Sequence, residues 1–331
     1  MNQTEIAIAR SRAYQLFSDL FLHGLTETNL PIVREVSELA EQIPSALDSD
    51  ALAAAHYQLF GMNVFPYETI FLDTDGLLGG TISSSVSSFY QEIGFPVSEQ
   101  ENADHLGVEL ALLDFLCGAE ADALSDKLPH EARRMRHFQR RFLDEHLLRW
   151  LPGLTMALQQ QMQPFFAALA TMTLELALNH RAALDEDLMN PPATFSLPES
   201  PDILNQEKTS LKDITAWLLT PVYTGFYLSR DDIGRMGDRY RLPRGFGQRQ
   251  QTLTNLMRTA VDYDAFGDVL AALQELTEQW QAFYQAIGGQ PAVTDIWLER
   301  LRQTQVLLKQ VQTAAQEQHI NIDELSEGVS T

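Results

Sequence analysis

The chain has a single cysteine, Cys117, among 331 residues. A lone thiol excludes an internal disulfide and any cysteine-rich metal cluster. Glycine and proline are also few, at 18 and 14 residues. With abundant Ala, Leu and Gln, that scarcity favours helix over a turn-rich β architecture. No apolar run reaches the roughly 18 residues of a membrane span, and the first dozen residues hold no apolar core of a secretory signal. These absences predict a cytoplasmic protein with no stable membrane insertion. Gly-x-Gly-x-x-Gly, Gly-x-x-x-x-Gly-Lys, Gly-x-Ser-x-Gly and His-Glu-x-x-His are all missing. Dinucleotide, P-loop, serine-hydrolase and zinc-protease chemistry are therefore not signalled.

Positive charge is scarce too. Lys and Arg number 23 against 45 Asp and Glu, a net charge of −22. Nucleic acid is a poor partner for such a chain. From Glu35 to Asp126 runs a 92-residue stretch with no Lys or Arg and 17 acidic residues. A one-signed surface of this kind steers cationic partners toward it, although solubility alone would also favour it. Lys127 to Arg149 then brings seven basic and three acidic residues. Within it, Arg133, Arg136 and Arg140 share one helix face, and Arg134, His137 and Arg141 another. The spacing predicts that this segment neutralises the acidic region inside the fold, with phosphate or an acidic partner as the other reading. A second basic stretch, Arg230 to Arg258, has seven Arg against three Asp.

Periodicity points to an all-α fold with helices packed in a bundle. Ile6, Ala9, Ala13, Leu16, Phe17, Leu20 and Phe21 form the stripe of a helix over 4–22. Helices are predicted at 30–42, 50–60, 82–92, 99–124, 129–150 and 154–184, the last kinked or broken at Pro164. Met62 to Gly80 reads as a loop, with Val64 to Leu72 a candidate extended piece. Residues 1–185 read as one helical domain. Residues 186–210, carrying Pro191, Pro192, Pro198 and Pro201, read as a linker. Residues 211–320 read as a further helical region, in which Ser229 and Asp232 have the spacing of a helix-start cap, and 321–331 as an acidic tail. Cys117, inside an apolar helical pattern, reads as a buried small hydrophobe.

Glu101, His105 and Glu109 recur every four positions, with Asp104 beside them, so one predicted helix face carries carboxylates and an imidazole. Such a face could hold a divalent metal for hydrolysis. One helix supplies only part of a metal shell, however, and a solvated polar face has the same pattern. No metal, no cofactor and no catalytic residue are assigned, and a metal-dependent hydrolase stands as the alternative reading.

More specific is an ordered set of segments: His56-Tyr57-Gln58-Leu59-Phe60, then Pro66-Tyr67-Glu68-Thr69-Ile70-Phe71, then Phe89-Tyr90-Gln91-Glu92-Ile93-Gly94-Phe95, followed by Asp104-His105-Leu106-Gly107-Val108-Glu109-Leu110. Together they resemble the TorD/DmsD/NarJ family of cytoplasmic chaperones for molybdenum enzymes, over about residues 5–185. The resemblance implies an all-helical chaperone and no enzymatic activity. It implies as partner the catalytic subunit of a molybdopterin oxidoreductase, whose N-terminal twin-arginine leader is bound until the cofactor is in place. It leaves a homodimer open. Carried over, the leader-binding surface falls on Leu59, Phe60, Pro66, Tyr67, Glu68, Asp104 and His105, with His56 and Tyr57 at its edge. Strict spacing puts His56 where the family usually has an aromatic residue. The residues themselves agree: a cationic, partly apolar leader needs carboxylates for its guanidinium groups and an apolar groove, and the 35–126 stretch has both. Residues beyond about 200 exceed the usual family length, and their basic cluster suggests contact with a folded client.

Overall fold

The computed structural model describes residues 2–43, 48–76, 78–96, 102–185, 196–204, 209–243, 245, 247–287 and 291–327. Glu101, Arg244 and much of 186–210 lie outside them. The described residues are helical apart from turns and connecting segments, and among them no strand occurs. Contacts divide the chain into two compact units, Met1–Leu197 and Pro198–Thr331.

The first unit is built around two long helices, α1 (Gln3–His23) and α7 (Leu106–Ser125). α1 opens with a reciprocal cap. Asn2 Oδ1 accepts from the Glu5 amide and Glu5 Oε2 accepts from the Asn2 amide, both at 2.9 Å, so two otherwise orphaned donors are satisfied. It closes at Gly24, whose φ of +73° suits glycine. α1 packs along α7 at very close range. A Cβ on Gly107 would lie 2.4 Å from Leu22 Cγ and 3.1 Å from the Ser18 carbonyl oxygen, and Ser18 Oγ donates to the Gly107 carbonyl at 2.7 Å.

Between them come α2 (Leu30–Val33), α3 (Ser37–Ala40), α4 (Ser49–Gln58), a π-helical turn at Leu59–Asn63, α5 (Glu68–Leu72) and α6 (Gly80–Ile93). After α7 follow α8 (Pro129–Phe142), a second π-helical turn at Leu143–Leu147, α9 (Leu148–Gln159) and α10 (Pro164–Asp185). Sequence and structure part in three places. The predicted helix 30–42 is two single turns. The predicted loop 62–80 contains α5. The predicted helix 99–124 begins only at Leu106, because Asn102 to His105 lie in a turn and bridge. Pro164 marks a true break, standing at the first position of α10, where its missing N–H costs nothing.

α7 is the central element. Leu106, Val108, Leu110, Leu112, Leu113, Leu116, Cys117 and Ala121 are all buried, so it is covered on much more than the single face its leucine spacing suggested. Two carboxylates, Glu109 and Glu120, are buried with them. Glu120 is neutralised by α8: Arg136 Nε donates to Oε1 at 2.8 Å and Gln139 Nε2 to Oε2 at 3.0 Å. The Gln139 amide oxygen accepts from His180 Nε2 at 3.1 Å, and His180 Nδ1 accepts from the Tyr14 hydroxyl at 3.0 Å. One buried polar chain thus links α7, α8, α10 and α1. Its geometry fixes His180 as the neutral Nε2–H tautomer, and burial holds its pKa well below the usual range. The basic segment of α8 meets its expectation in part: Arg136 reaches Glu120 inside the fold and Arg141 pairs with the exposed Glu92 at 2.8 Å. Arg140 pairs with Asp144 at 3.6 Å and Arg134 with Glu131 at 3.1 Å within the segment itself, and Arg133 and Arg134 face outward.

The second unit holds α11 (Leu211–Leu218), α12 (Pro221–Thr224), α13 (Arg230–Arg239), α14 (Arg249–Asp262), α15 (Phe266–Ala286) and α16 (Pro291–Glu327). Ser229 and Asp232 do form a capping box at α13, and Ser210 with Asp213 forms another at α11. Trp280, Tyr284, Trp297 and Leu301 make its core with Phe226 and Tyr227. Gly225, at φ +80°, lets α12 meet α16: a Cβ there would stand 2.9 Å from the Trp297 carbonyl oxygen and the Leu301 amide nitrogen. Much of the basic cluster is used within this unit. Arg235 pairs with Asp232 and Arg239 with Glu275. Arg249 lies 4.7 Å over the Tyr227 ring and donates to the Leu219 carbonyl at 3.0 Å. Arg230, Arg241 and Arg258 face outward. Helix α16 runs on to Glu327, into the span read from the sequence as an acidic tail.

The α1–α7 contact gives the first prediction. Gly107→Ala is expected to destabilise the first unit by roughly 1–3 kcal/mol, because overpacked side chains and backbone must shift. Urea unfolding of the full chain, followed by circular dichroism, measures it.

Candidate functional site

After the first π-helical turn Val64 is extended, the Tyr67 amide turns back to the Phe65 carbonyl at 3.0 Å around Pro66, and Tyr67, again extended, leads into α5. The approach to α7 lies against it. The Leu106 amide donates to the Pro66 carbonyl and the Glu68 amide to the Asp104 carbonyl, both at 2.9 Å, making an isolated antiparallel bridge between Tyr67 and His105. Two helix N-termini, those of α5 and α7, therefore start side by side. Tyr67, the N-cap position of α5, gives no side-chain cap. Asp104 supplies one from the other segment: Oδ2 accepts from the Thr69 amide at 3.1 Å and from the Thr69 hydroxyl. His105 caps α7, its Nδ1 accepting from the Gly107 amide at 3.0 Å. That bond leaves the proton on Nε2. Burial is the main reason its pKa falls to about 4, with the nearby histidines His56 and His23 adding to the fall and Asp104 opposing it.

Beneath the bridge is a cluster of buried ionisable groups. Glu68, Asp104 and Glu109 are 3%, 0% and 0% exposed. His146, from the second π-helical turn, donates from Nδ1 to Glu68 Oε2 at 3.1 Å. Trp150 Nε1 donates to Glu109 Oε2 at 3.3 Å. Tyr90 of α6 donates its hydroxyl to the Ala103 carbonyl at 2.7 Å. The outer carboxylate oxygens, Asp104 Oδ1 and Glu109 Oε1, have no hydrogen-bond partner among the described residues. Burial pushes the Glu109 carboxyl well above its usual range, and the facing carboxyl of Glu68 and the charge on Asp104 push it further.

The residues singled out from the sequence fall into three sets. Tyr57 is exposed, at 63%. His56, Tyr67 and His105 are half-buried. Leu59, Phe60, Pro66, Glu68 and Asp104 are buried. The structure brings Tyr67, Glu68, Asp104 and His105 together at the bridge, with the Tyr67 and His105 rings edge to face at 4.9 Å. His56 packs elsewhere, edge-on to Phe60 at 5.0 Å and beside Phe166 at 5.8 Å, while its Nε2 donates to the Phe21 carbonyl at 3.0 Å. It thus fills an aromatic's place with an imidazole, and burial lowers its pKa.

The metal-hydrolase face does not form. His105 caps α7 instead of sitting inside it, so it cannot share a helix face with Glu109, and Glu101 lies outside the described residues. Among the described residues no group of His, Cys, Asp and Glu has the geometry to hold a metal, and no helix is long and apolar enough to cross a membrane. Thr69 stood in a segment legible from the sequence but was given no role, and His146 and Trp150, which complete the cluster, carried no sequence signal. His146 lies 78 positions from Glu68, and no spacing rule reaches that far.

Comparison with known proteins fits this geometry. Residues 29–156 match the family model described as the nitrate reductase delta subunit. That span runs from the segment before α2 into α9 and so contains the whole bridge and cluster. The matched span is helical, and over it the chain is similar to that family. In particular, it is similar to the chaperone protein TorD of Vibrio vulnificus strain YJ016, with 31% identity over 144 residues, 40% of this chain and 65% of the relative. It is equally similar, at 31% over 142 residues, to the chaperone protein TorD of strain CMCP6. The chain spans 65% of the length of these relatives, and 40% of its own length is matched.

The His105 arrangement gives the second prediction. Its folded pKa lies below the unfolded value of about 6.5, so the unfolded chain binds the extra proton between the two. Stability contributed by neutral His105 is present above about pH 6.5 and lost as pH falls toward 4. Its ring resonances are expected to stay in the neutral form from pH 7 down to about 5. His105→Asn, which keeps a capping acceptor, is expected to flatten the acid limb of the stability profile.

Proposed function

We propose that this protein is a cytoplasmic maturation chaperone. Its client is the catalytic subunit of a molybdopterin oxidoreductase, bound in the apo form through its N-terminal leader while the cofactor is inserted. The mechanism is binding and release, with no bond made or broken. The match of residues 29–156 to the nitrate reductase delta subunit model and the similarity to two TorD chaperones support the class. One structural observation carries the site. Tyr57 and Met62 stand exposed at the end of α4 and on the π-helical turn, within the stretch that has no Lys or Arg and whose Glu35, Glu38, Glu41, Asp48, Asp50 and Asp75 face outward. A leader with a cationic start and an apolar continuation matches both features.

In this reading Tyr57 and the half-buried His56, Tyr67 and His105 touch the leader, and carboxylates receive its guanidinium groups bidentately. Leu59, Phe60, Pro66, Glu68 and Asp104 hold those residues in place from below. Release follows cofactor insertion because only a difference in affinity between client states can drive it.

Calorimetric titration with a synthetic twin-arginine leader tests the reading. Tyr57→Ala is expected to weaken binding about tenfold, near 1.4 kcal/mol, without changing the circular dichroism spectrum. Replacing both leader arginines by lysine is expected to weaken it as well, since lysine cannot pair bidentately. Unchanged affinity in both cases would overturn the site. Capture of the cofactor-loaded client as readily as the apo form would overturn the chaperone reading.

A further inference from the structure

The buried cluster has a chemical imbalance. Glu109 is fully buried with a donor on only one of its two oxygens, and its carboxylate neighbours, acceptors only, cannot supply the missing one. The groups around them come from every element packed there. α5 brings Glu68, and the turn before α7 brings Asp104 and His105. α7 itself brings Glu109, α6 brings Tyr90, the second π-helical turn brings His146, and α9 brings Arg149 and Trp150. Glu68 has His146 against it and lies within electrostatic reach of Arg149. Asp104 has two donors from Thr69 at the start of α5. Glu109 has the Trp150 indole N–H on one oxygen and no donor on the other. It is the carboxyl least able to carry charge.

We infer that Glu109 is a proton-binding site, holding one proton while residues 64–72 are docked on α7 and releasing it to solvent when that segment lifts. The docked carboxyl has one donor for its two oxygens, and a proton removes the uncompensated charge. Once the segment lifts, Glu109 meets water and becomes an ordinary carboxyl of pKa about 4.3. Above that pH, lifting and deprotonation are linked, so the opening constant rises with pH by up to about tenfold per unit. The inference concerns the bridge alone and stands whether or not the chain binds a leader.

Amide exchange in the full chain tests it. The Glu68 and Leu106 amides are the two donors of the bridge, and both are freed when the segment lifts. After division by the intrinsic chemical rate, their exchange is expected to accelerate about tenfold per unit between roughly pH 6 and 8 in the wild type. In Glu109→Gln, a neutral side chain of the same shape, the acceleration is expected to vanish. In His146→Gln it is expected to persist. A flat wild-type profile, an unchanged slope in E109Q, or loss of the slope in H146Q alone would each overturn the proposal. The infrared spectrum of the wild type at neutral pH gives a second readout that needs no variant. The carbonyl stretch of a protonated, water-shielded carboxylic acid is expected there, and its absence would overturn the proposal equally.

Discussion

The first unit is organised by the cost of placing carboxylates inside it. α7 runs through the middle of the apolar core and carries Glu109 and Glu120 with it, both out of reach of water. An isolated charge in such surroundings is several kcal/mol unfavourable unless it is paired, hydrogen-bonded or neutralised. The two sites meet that constraint differently. Glu120 takes a guanidinium and an amide from α8, which sets how the α7–α8 hairpin packs and extends through Gln139 and His180 to α10 and α1. Glu109 takes one indole N–H from Trp150 and no donor on its other oxygen, which ties α9 to the start of α7.

The same constraint explains where the scarce positive charge goes. The stretch without Lys or Arg cannot compensate itself, so α8 supplies Arg136 to its buried carboxylate and Arg141 to its exposed Glu92. Glu68, Asp104 and Glu109 are buried at the bridge, while Glu35, Glu38, Glu41, Asp48, Asp50 and Asp75 stay on the surface and leave a strongly negative field on that part of the sequence. A surface pair such as Arg141–Glu92 contributes little to stability, about 0–1 kcal/mol. Keeping much of the region free of such pairs therefore costs little and leaves its field unopposed for a cationic partner.

Much of the helical order was legible because α1, α6, α8 and the helices of the second unit follow helical periodicity, and α13 carries a recognisable cap. What escaped has physical reasons. α5 has five residues, less than two turns, too short for periodicity to register. The start of α7 was placed too early because its cap is a histidine, outside the usual Ser, Thr, Asp and Asn, and the polar residues before it continue a plausible helical pattern. The π-helical turns at Leu59 and Leu143 have no sequence signature. At the site, the linear segments around Tyr67 and Asp104 were legible as segments. Their junction, and the arrival of Thr69, His146 and Trp150, depends on contacts between distant parts of the chain.

Capping α5 from outside has a consequence for how the unit comes apart. A helix of five residues has no independent stability, since nucleating its first turn fixes more backbone than its few hydrogen bonds repay. Here the N-terminal donors of that turn are held by Asp104, 35 positions further along the chain. Detaching residues 64–67 from the α7 approach removes the cap, so α5 melts in the same event and does not swing away as a rigid piece. Residues 64–72 and the turn before α7 form one cooperative unit, which opens as a whole.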